Sequence, residues 1–211
     1  MKFILVFILG LSLGLKIYAQ DSKPKIYPMS IGLNYGSASQ DNFISNNYDY
    51  LYENRFFKLQ ISYPLYQKKL QLELLIEPSV YYSKHQLLNS FFIVPESGPD
   101  FIERRELFTQ KRSFEEYALN IGIVVRYPIL DNLNTYILGS VGPMISNDDT
   151  ERLKKGFAFS DILGFGINFI YERLIFDVRL TLRHNSNANL SQPNHGHNSV
   201  GIESGIAFKL Y

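Results

Sequence analysis

Eight segments of the chain alternate apolar and polar side chains with period two, and this pattern limits the fold more than any other feature. Successive side chains on a β-strand point to opposite faces, so alternation marks strands with one apolar face. In the first, Met29, Ile31, Leu33 and Tyr35 oppose Ser30, Gly32, Asn34 and Gly36. In the second, Phe57, Leu59, Ile61 and Tyr63 oppose Lys58, Gln60 and Ser62, and in the third Leu70, Leu72, Leu74 and Ile76 oppose Gln71, Glu73 and Glu77. The fourth covers about 116–127, the fifth about 134–145, the sixth about 157–169, and the eighth about 200–211. In the seventh, Phe176, Val178, Leu180 and Leu182 oppose Asp177, Arg179, Thr181 and Arg183. The apolar face recurs strand after strand, which suits a barrel. Alternation alone does not say which face is inside: a soluble barrel turns it inward, a membrane barrel outward.

Three further observations favour the membrane form. The strand count is even. The connections alternate in length: about 38–55, 84–114, 146–156 and 184–198 are long, while 66–69, 129–133 and 171–173 are tight. The last strand ends on an aromatic, Tyr211. Short turns at one end and long loops at the other are the outer-membrane pattern. The expected fold is therefore all-β, an eight-stranded antiparallel transmembrane β-barrel over residues 20–211, with periplasmic termini and outward-facing loops. A soluble periplasmic barrel is the alternative. Residues 1–19 read as a signal peptide: Lys2, an apolar run from Phe3 to Leu15, and Ile17-Tyr18-Ala19 before the cleavage point at Gln20. That run is shorter than the roughly 20 apolar residues a spanning helix needs.

Composition removes several chemistries. Among 211 residues there is no Cys, which excludes disulfides, thiolate metal sites, a Cys nucleophile and a lipidated Cys. The net charge of +1 implies no polyelectrolyte, so no nucleic acid is expected as partner. Trp is absent while Tyr (15) and Phe (16) are abundant, which favours a β-protein carrying amphipathic rings. The long loops carry mixed charge. They read as solvated, with Arg104, Arg105, Lys111, Arg112 and Lys154 as the candidates for contact with glycolipid phosphates. His85 stands alone at a strand end and takes no role.

The polar, Asn-rich stretch from Arg183 to Asn198 differs from the other loops. Carried forward along strand seven, the parity puts His184 and Ser186 on the apolar face, with backbones roughly 6.6 Å apart. An imidazole beside a hydroxyl holds both parts of acyl-transfer chemistry: the Ser oxygen attacks as the His takes its proton. Donors for the oxyanion could come from Asn187, Asn194 and the backbone N–H groups of Ala188 and Asn189. Polar groups aimed at lipid are costly without a task or a partner. Two plainer readings compete. The stretch is rich in ordinary turn formers. His184, His195 and His197 could also hold zinc, though no carboxylate or Cys stands beside them in the loop, and no metal or cofactor is expected.

Residues His184-Asn185-Ser186-Asn187-Ala188-Asn189-Leu190 and then Pro193-Asn194-His195-Gly196 resemble the signature of the lipid A 3-O-deacylase (PagL) family, H-x-S-N-A-x-[IL]-x-x-P-N-x-G. Every fixed position is met. The resemblance implies an eight-stranded outer-membrane barrel in a Gram-negative bacterium, with its active stretch at the extracellular rim. The implied activity is hydrolysis of the ester-linked 3-O-acyl chain of lipid A, with Ser186 as nucleophile and His184 as general base. The implied partners are lipopolysaccharide and outer-membrane lipids, and a homodimer is left open. The family's third member is a Glu two residues past the motif Gly; here Asn198 stands there. Its parity matches His184 and Ser186, and an Asn can still fix a His tautomer. Glu203 is the alternative, but its parity points to the lumen and only a bulge near Gly201 would bring it round.

Overall fold

The computed structural model describes residues 27–40 and 48–211. The expected signal peptide lies outside the described residues. Eight antiparallel strands form a closed barrel in which each pairs with its chain neighbours and β1 closes onto β8. They are β1 (Ser30–Ser39), β2 (Tyr50–Gln67), β3 (Gln71–Leu87), β4 (Arg112–Leu130), β5 (Leu133–Ser146), β6 (Gly156–Tyr171), β7 (Leu174–Ser186) and β8 (His197–Lys209). Closure leaves no unpaired edge, which is what permits a sheet to stand in lipid. Among the described residues, no helix is long and apolar enough to cross a membrane.

The alternation turns its apolar set outward. Leu33, Phe165, Leu180 and Ile202 are each more than half exposed, while Lys58, Glu73, Glu77, Asn120, Arg179 and Glu203 are almost wholly buried. The interior is held by ion pairs stacked along the axis. Arg126 grips Glu73 through two bonds of 2.7 and 3.0 Å. Arg179 bridges Glu77 (2.5 Å) and Glu203 (2.8 Å), and Lys58 adds a third bond at 2.6 Å to Glu203. One apolar cluster, of Leu75, Val124, Tyr136 and Leu138, sits between these layers, and a second, of Phe56, Tyr81, Ala118, Met144, Leu153 and Ala158, lies toward the long-loop end.

The strands on one side are longer than the alternation suggests: β2, β3 and β4 have 18, 17 and 19 residues. Tyr50 and Tyr52 on β2 and His85 on β3 continue the buried parity beyond the expected strand ends. The expected loop over 84–114 shrinks accordingly. It contains two single-turn 3₁₀ segments and a short helix, α1 (Phe101–Phe108), tied down by Leu87, Ile93 and Phe108.

Candidate active site on strand β7

The end of β7 is fixed from inside the barrel by Arg183 and Asn185. Arg183 donates to Glu116 at 2.8 Å, Asn185 donates to the other Glu116 oxygen at 3.1 Å, and the Tyr52 hydroxyl donates to Glu116 at 2.7 Å. With the inward side chains held, His184 and Ser186 must face outward, and both are partly exposed. Below them the outward row across β6, β7 and β8 is Leu163, Leu182 and Val200. The polar site thus sits directly above an apolar belt.

His184 pairs in register with Asn198, and its Nδ1 lies 2.7 Å from Asn198 Oδ1. With the amide oxygen toward the ring, Nδ1 carries the proton and Nε2 keeps its lone pair, the form a general base requires. Gly196 makes this approach feasible. Its φ is +71°, and a Cβ there would lie 2.4 Å from the Asn185 carbonyl oxygen and 3.1 Å from His184 Cε1. No hydrogen bond joins His184 to Ser186 among the described residues. Such bonds commonly tighten only when substrate is bound.

The loop after Ser186 is built by its asparagines. Asn187 is fully buried, and its side-chain amide donates to the Ser191 carbonyl (2.8 Å), the Ser191 hydroxyl (2.9 Å) and the Pro193 carbonyl (3.3 Å). Its own N–H donates to Asn194 Oδ1 at 2.7 Å, and Asn194 in turn donates to Asn189 at 3.0 Å. Asn187 and Asn194 therefore spend their donors on the loop itself. Ala188 and Asn189 differ. Both have positive φ, 52° and 65°, and both are exposed. Their N–H groups meet no acceptor among the described residues and are open to an oxygen from outside.

Glu203 is not near this face. It lies in the lumen between Lys58 and Arg179, and β7 and β8 run in register from Leu174 to Asn185 with no bulge. Without a bulge its parity cannot change. The three histidines of the stretch also diverge: His184 faces out, His197 is buried inside, and His195 is exposed in the loop. Among the described residues no group of three ligating side chains could hold a metal ion. The pKa of His195 is lowered, first by desolvation and then by the Arg152 guanidinium. The basic loop residues are partly engaged. Arg105 donates to the Ile93 carbonyl at 2.7 Å and stacks near Phe101, Arg112 pairs with Asp148, and Lys154 pairs with Asp149 at 3.2 Å.

Several contributors were not found from sequence. Thr150 bonds the His197 ring at 3.0 Å, and Arg152 donates to the Gly196 carbonyl at 2.8 Å, so the β5–β6 loop clamps the motif loop from the side. His85 is part of this clamp rather than isolated, 3.2 Å from Glu151 and packed against His197. Loop-to-loop contacts of this kind leave no periodic trace in a sequence. Asp161 on β6 did leave a signal: it has the same parity as Leu163, Phe165 and Ile167, and is the one acid among those apolar positions.

An eight-stranded barrel with an apolar exterior, a polar, ion-paired lumen and long loops at one end is of the outer-membrane class. By sequence, residues 58–207 match the family described as lipid A 3-O-deacylase (PagL). The chain belongs to that family. Comparison with curated proteins gave no match. Among solved structures, the outer-membrane enzyme PagL is similar at a TM-score of 0.50 and 16% identity, over 83% of this chain and 97% of that one. The neisserial surface protein A (NspA) is similar at 0.51 and 9% identity, over 86% and 96%. At such identities these two likenesses bear on the fold alone; the family assignment rests on the sequence match.

Proposed function

We propose that this protein removes the 3-O-linked acyl chain of lipid A by a Ser-His mechanism, working at the outer rim of the barrel on substrate that approaches sideways from the bilayer. The observation that carries this reading is the His184–Asn198 hydrogen bond on the outward face that Ser186 shares. Ser186 Oγ attacks the ester carbonyl carbon while His184 Nε2 takes its proton. The carbonyl oxygen becomes an oxyanion facing the Ala188 and Asn189 N–H groups. Collapse breaks the bond to the sugar oxygen, which leaves with the proton from His184. Water then attacks the acyl-Ser186 ester, again with His184 as base, and the fatty acid departs. Both attack steps put positive charge on the imidazole, and each collapse removes it. Asn198 fixes the ring's orientation and tautomer, as the amide does in Cys-His-Asn enzymes, but contributes no charge.

The test is to incubate the folded barrel with lipid A and follow loss of one hydroxyacyl chain by mass spectrometry. Release is expected, and release that persists in Ser186→Ala would overturn the mechanism. A second reading, a non-catalytic small barrel with a structural or adhesive role, draws support from the amide at position 198. Asn198→Glu separates the two: a rise in rate of about tenfold supports the enzyme, and inactivity of both forms supports the barrel without catalysis.

A further inference from the structure

On the reading that His184 serves as base to Ser186, we propose that Asp161 is a positioning residue that supplies, through His184, the negative charge that Asn198 cannot. The site would then be a row across three adjacent strands, Asp161 on β6, His184 on β7 and Asn198 on β8, with the usual single acid divided into a charge on one side and an orienting amide on the other.

The register makes the row. Asp161 is the direct cross-strand partner of His184, and His184 is the direct partner of Asn198. Directly opposed residues hold their Cβ atoms about 4.5–5.5 Å apart. That register sets the Asp161 carboxylate beside the His184 ring on the outer face, and no hydrogen-bond donor among the described residues holds that carboxylate. It is not stabilised by the structure around it in the way Glu203, Glu73 and Glu116 are.

Its setting makes a passive role hard to sustain. The other outward positions of β6 from Phe157 to Phe169 are Phe157, Phe159, Leu163, Phe165, Ile167 and Phe169. An acid in that row is an exception to the lipid-facing pattern, and such exceptions go with function. It is also placed where the exception costs least. Charge on the lipid face is penalised most at the midplane and little near the interface. Phe159, one row above Asp161, pairs with Ser186, so the carboxylate lies between the belt and the proposed nucleophile.

The chemistry needs a charge there. When His184 takes the Ser186 proton it becomes a cation, and a fixed anion within cross-strand reach stabilises that state. No proton moves to Asp161. The groups around His184 leave it little else. Asn198 approaches from β8 and the Gly196 backbone covers Cε1. From the lumen side, His197 also interacts with His184, and Arg183 is spent on Glu116. Arg183 with Glu116 is a neutral pair and His197 is an imidazole, so neither offers the imidazolium an unpaired anion, and Asp161 on the outer face does.

The test uses the full barrel refolded in lipid, with histidine side chains isotope-labelled so that the His184 titration is read by NMR alongside lipid A hydrolysis. Removing a neighbouring anion destabilises the imidazolium. Asp161→Asn should therefore lower the His184 pKa by about one unit, lower kcat about tenfold or more, and move the acidic limb of the rate profile to lower pH. Asp161→Glu should stay near wild type, and Asp161→Asn with Asn198→Glu should recover most of the rate and restore the pKa. A fall in rate without a pKa shift marks a structural role and overturns the proposal, as does a variant unchanged in both. If wild type hydrolyses lipid A and Asp161→Asn changes nothing, the deacylase reading stands and this proposal falls. If wild type is inert yet the pKa still shifts, the Asp161–His184 coupling stands and the deacylase reading falls.

Discussion

The two faces of β7 carry similar residues under opposite conditions. Inward, Arg179, Arg183 and Asn185 are buried and matched by Glu77, Glu203 and Glu116. Outward, His184 and Ser186 are partly exposed, and His184 has one hydrogen-bond partner, Asn198. The lumenal charges of β7 are matched by opposite charges, so their contribution is to hold the barrel. Polar groups on the rim keep free lone pairs and hydroxyls, so they can react. Glu203 and Asn198 show the same division on one strand. The acid is fully engaged between two cations inside, and the amide outside is the one that meets the imidazole. On the proposed function, reactivity at the rim follows from an imidazole and a hydroxyl left outside the ion-paired network, not from the mere presence of an acid.

That division predicts which property each substitution should disturb. The largest separation is expected at the rim. His184→Ala and Ser186→Ala should each lower kcat by about 10³-fold or more, equivalent to about 4 kcal/mol of barrier. Ser186 carries no paired load and the His184–Asn198 bond lies at the partly exposed rim, so unfolding by denaturant should move by no more than about 1 kcal/mol. Inside, the pattern should invert. Arg179→Ala leaves Glu77 without its cation and Glu203 with only Lys58. Breaking a buried pair from one side costs about 3–5 kcal/mol, read as a lower denaturant midpoint in lipid vesicles. The fraction that remains folded should turn over at near the wild-type rate. A lumenal substitution that abolished turnover without loss of stability would break the division.

The difference between the faces was partly legible in the sequence, because parity is a local property. Strict alternation along β7 and β8 placed His184, Ser186 and Asn198 together and Glu203 apart, and the uninterrupted register carried that through. The same rule carried to β6 reaches Asp161, a single acid in a strand rich in Phe and Gly. Parity could not show the lumenal apolar clusters, since Leu75, Val124 and Tyr136 sit at inward positions expected to be polar. Nor could it show helix α1, a charged segment with no apolar stripe, or the fold of the motif loop. Those depend on contacts between segments far apart in the chain, such as Arg152 with Gly196, and on the backbone twist at Ala188 and Asn189.

A smaller effect is expected where the two regimes meet. Asn187 is the first residue past β7 and is buried like a lumenal group, yet it holds the loop that presents the reactive face. Asn187→Ala removes three side-chain donations and leaves the Pro193 and Ser191 carbonyls without that partner. The cost is about 1–3 kcal/mol, confined to the loop. Amide hydrogen exchange should therefore rise at 188–196 while the strands remain protected. Because the loop positions the Ala188 and Asn189 N–H groups, kcat should fall about tenfold. An equal loss of protection across all strands would show that Asn187 belongs with the lumen instead.

The smallest expected effect lies at His195, outside the strands, where the motif loop meets the β3–β4 connection. Its ring stands edge-on to Phe92 with centroids 5.0 Å apart, and its backbone N–H donates to the Arg152 carbonyl at 2.8 Å. Desolvation and the Arg152 guanidinium lower its pKa in the folded protein. The unfolded chain, titrating near 6.5, then binds the proton more readily than the folded loop does. The stabilising contribution is thus fully present above about pH 6.5 and is lost as pH falls through the folded pKa. Relative to the intrinsic rate at each pH, amide exchange at 194–196 should accelerate on acidification through that window, and His195→Asn should flatten the response. The ring is largely exposed, so solvent screens the interaction and the acceleration should be modest. Acceleration of the same size in His195→Asn would transfer the pH response to the buried His85–Glu151–His197 cluster beneath it, which lies on the lumenal side of the division.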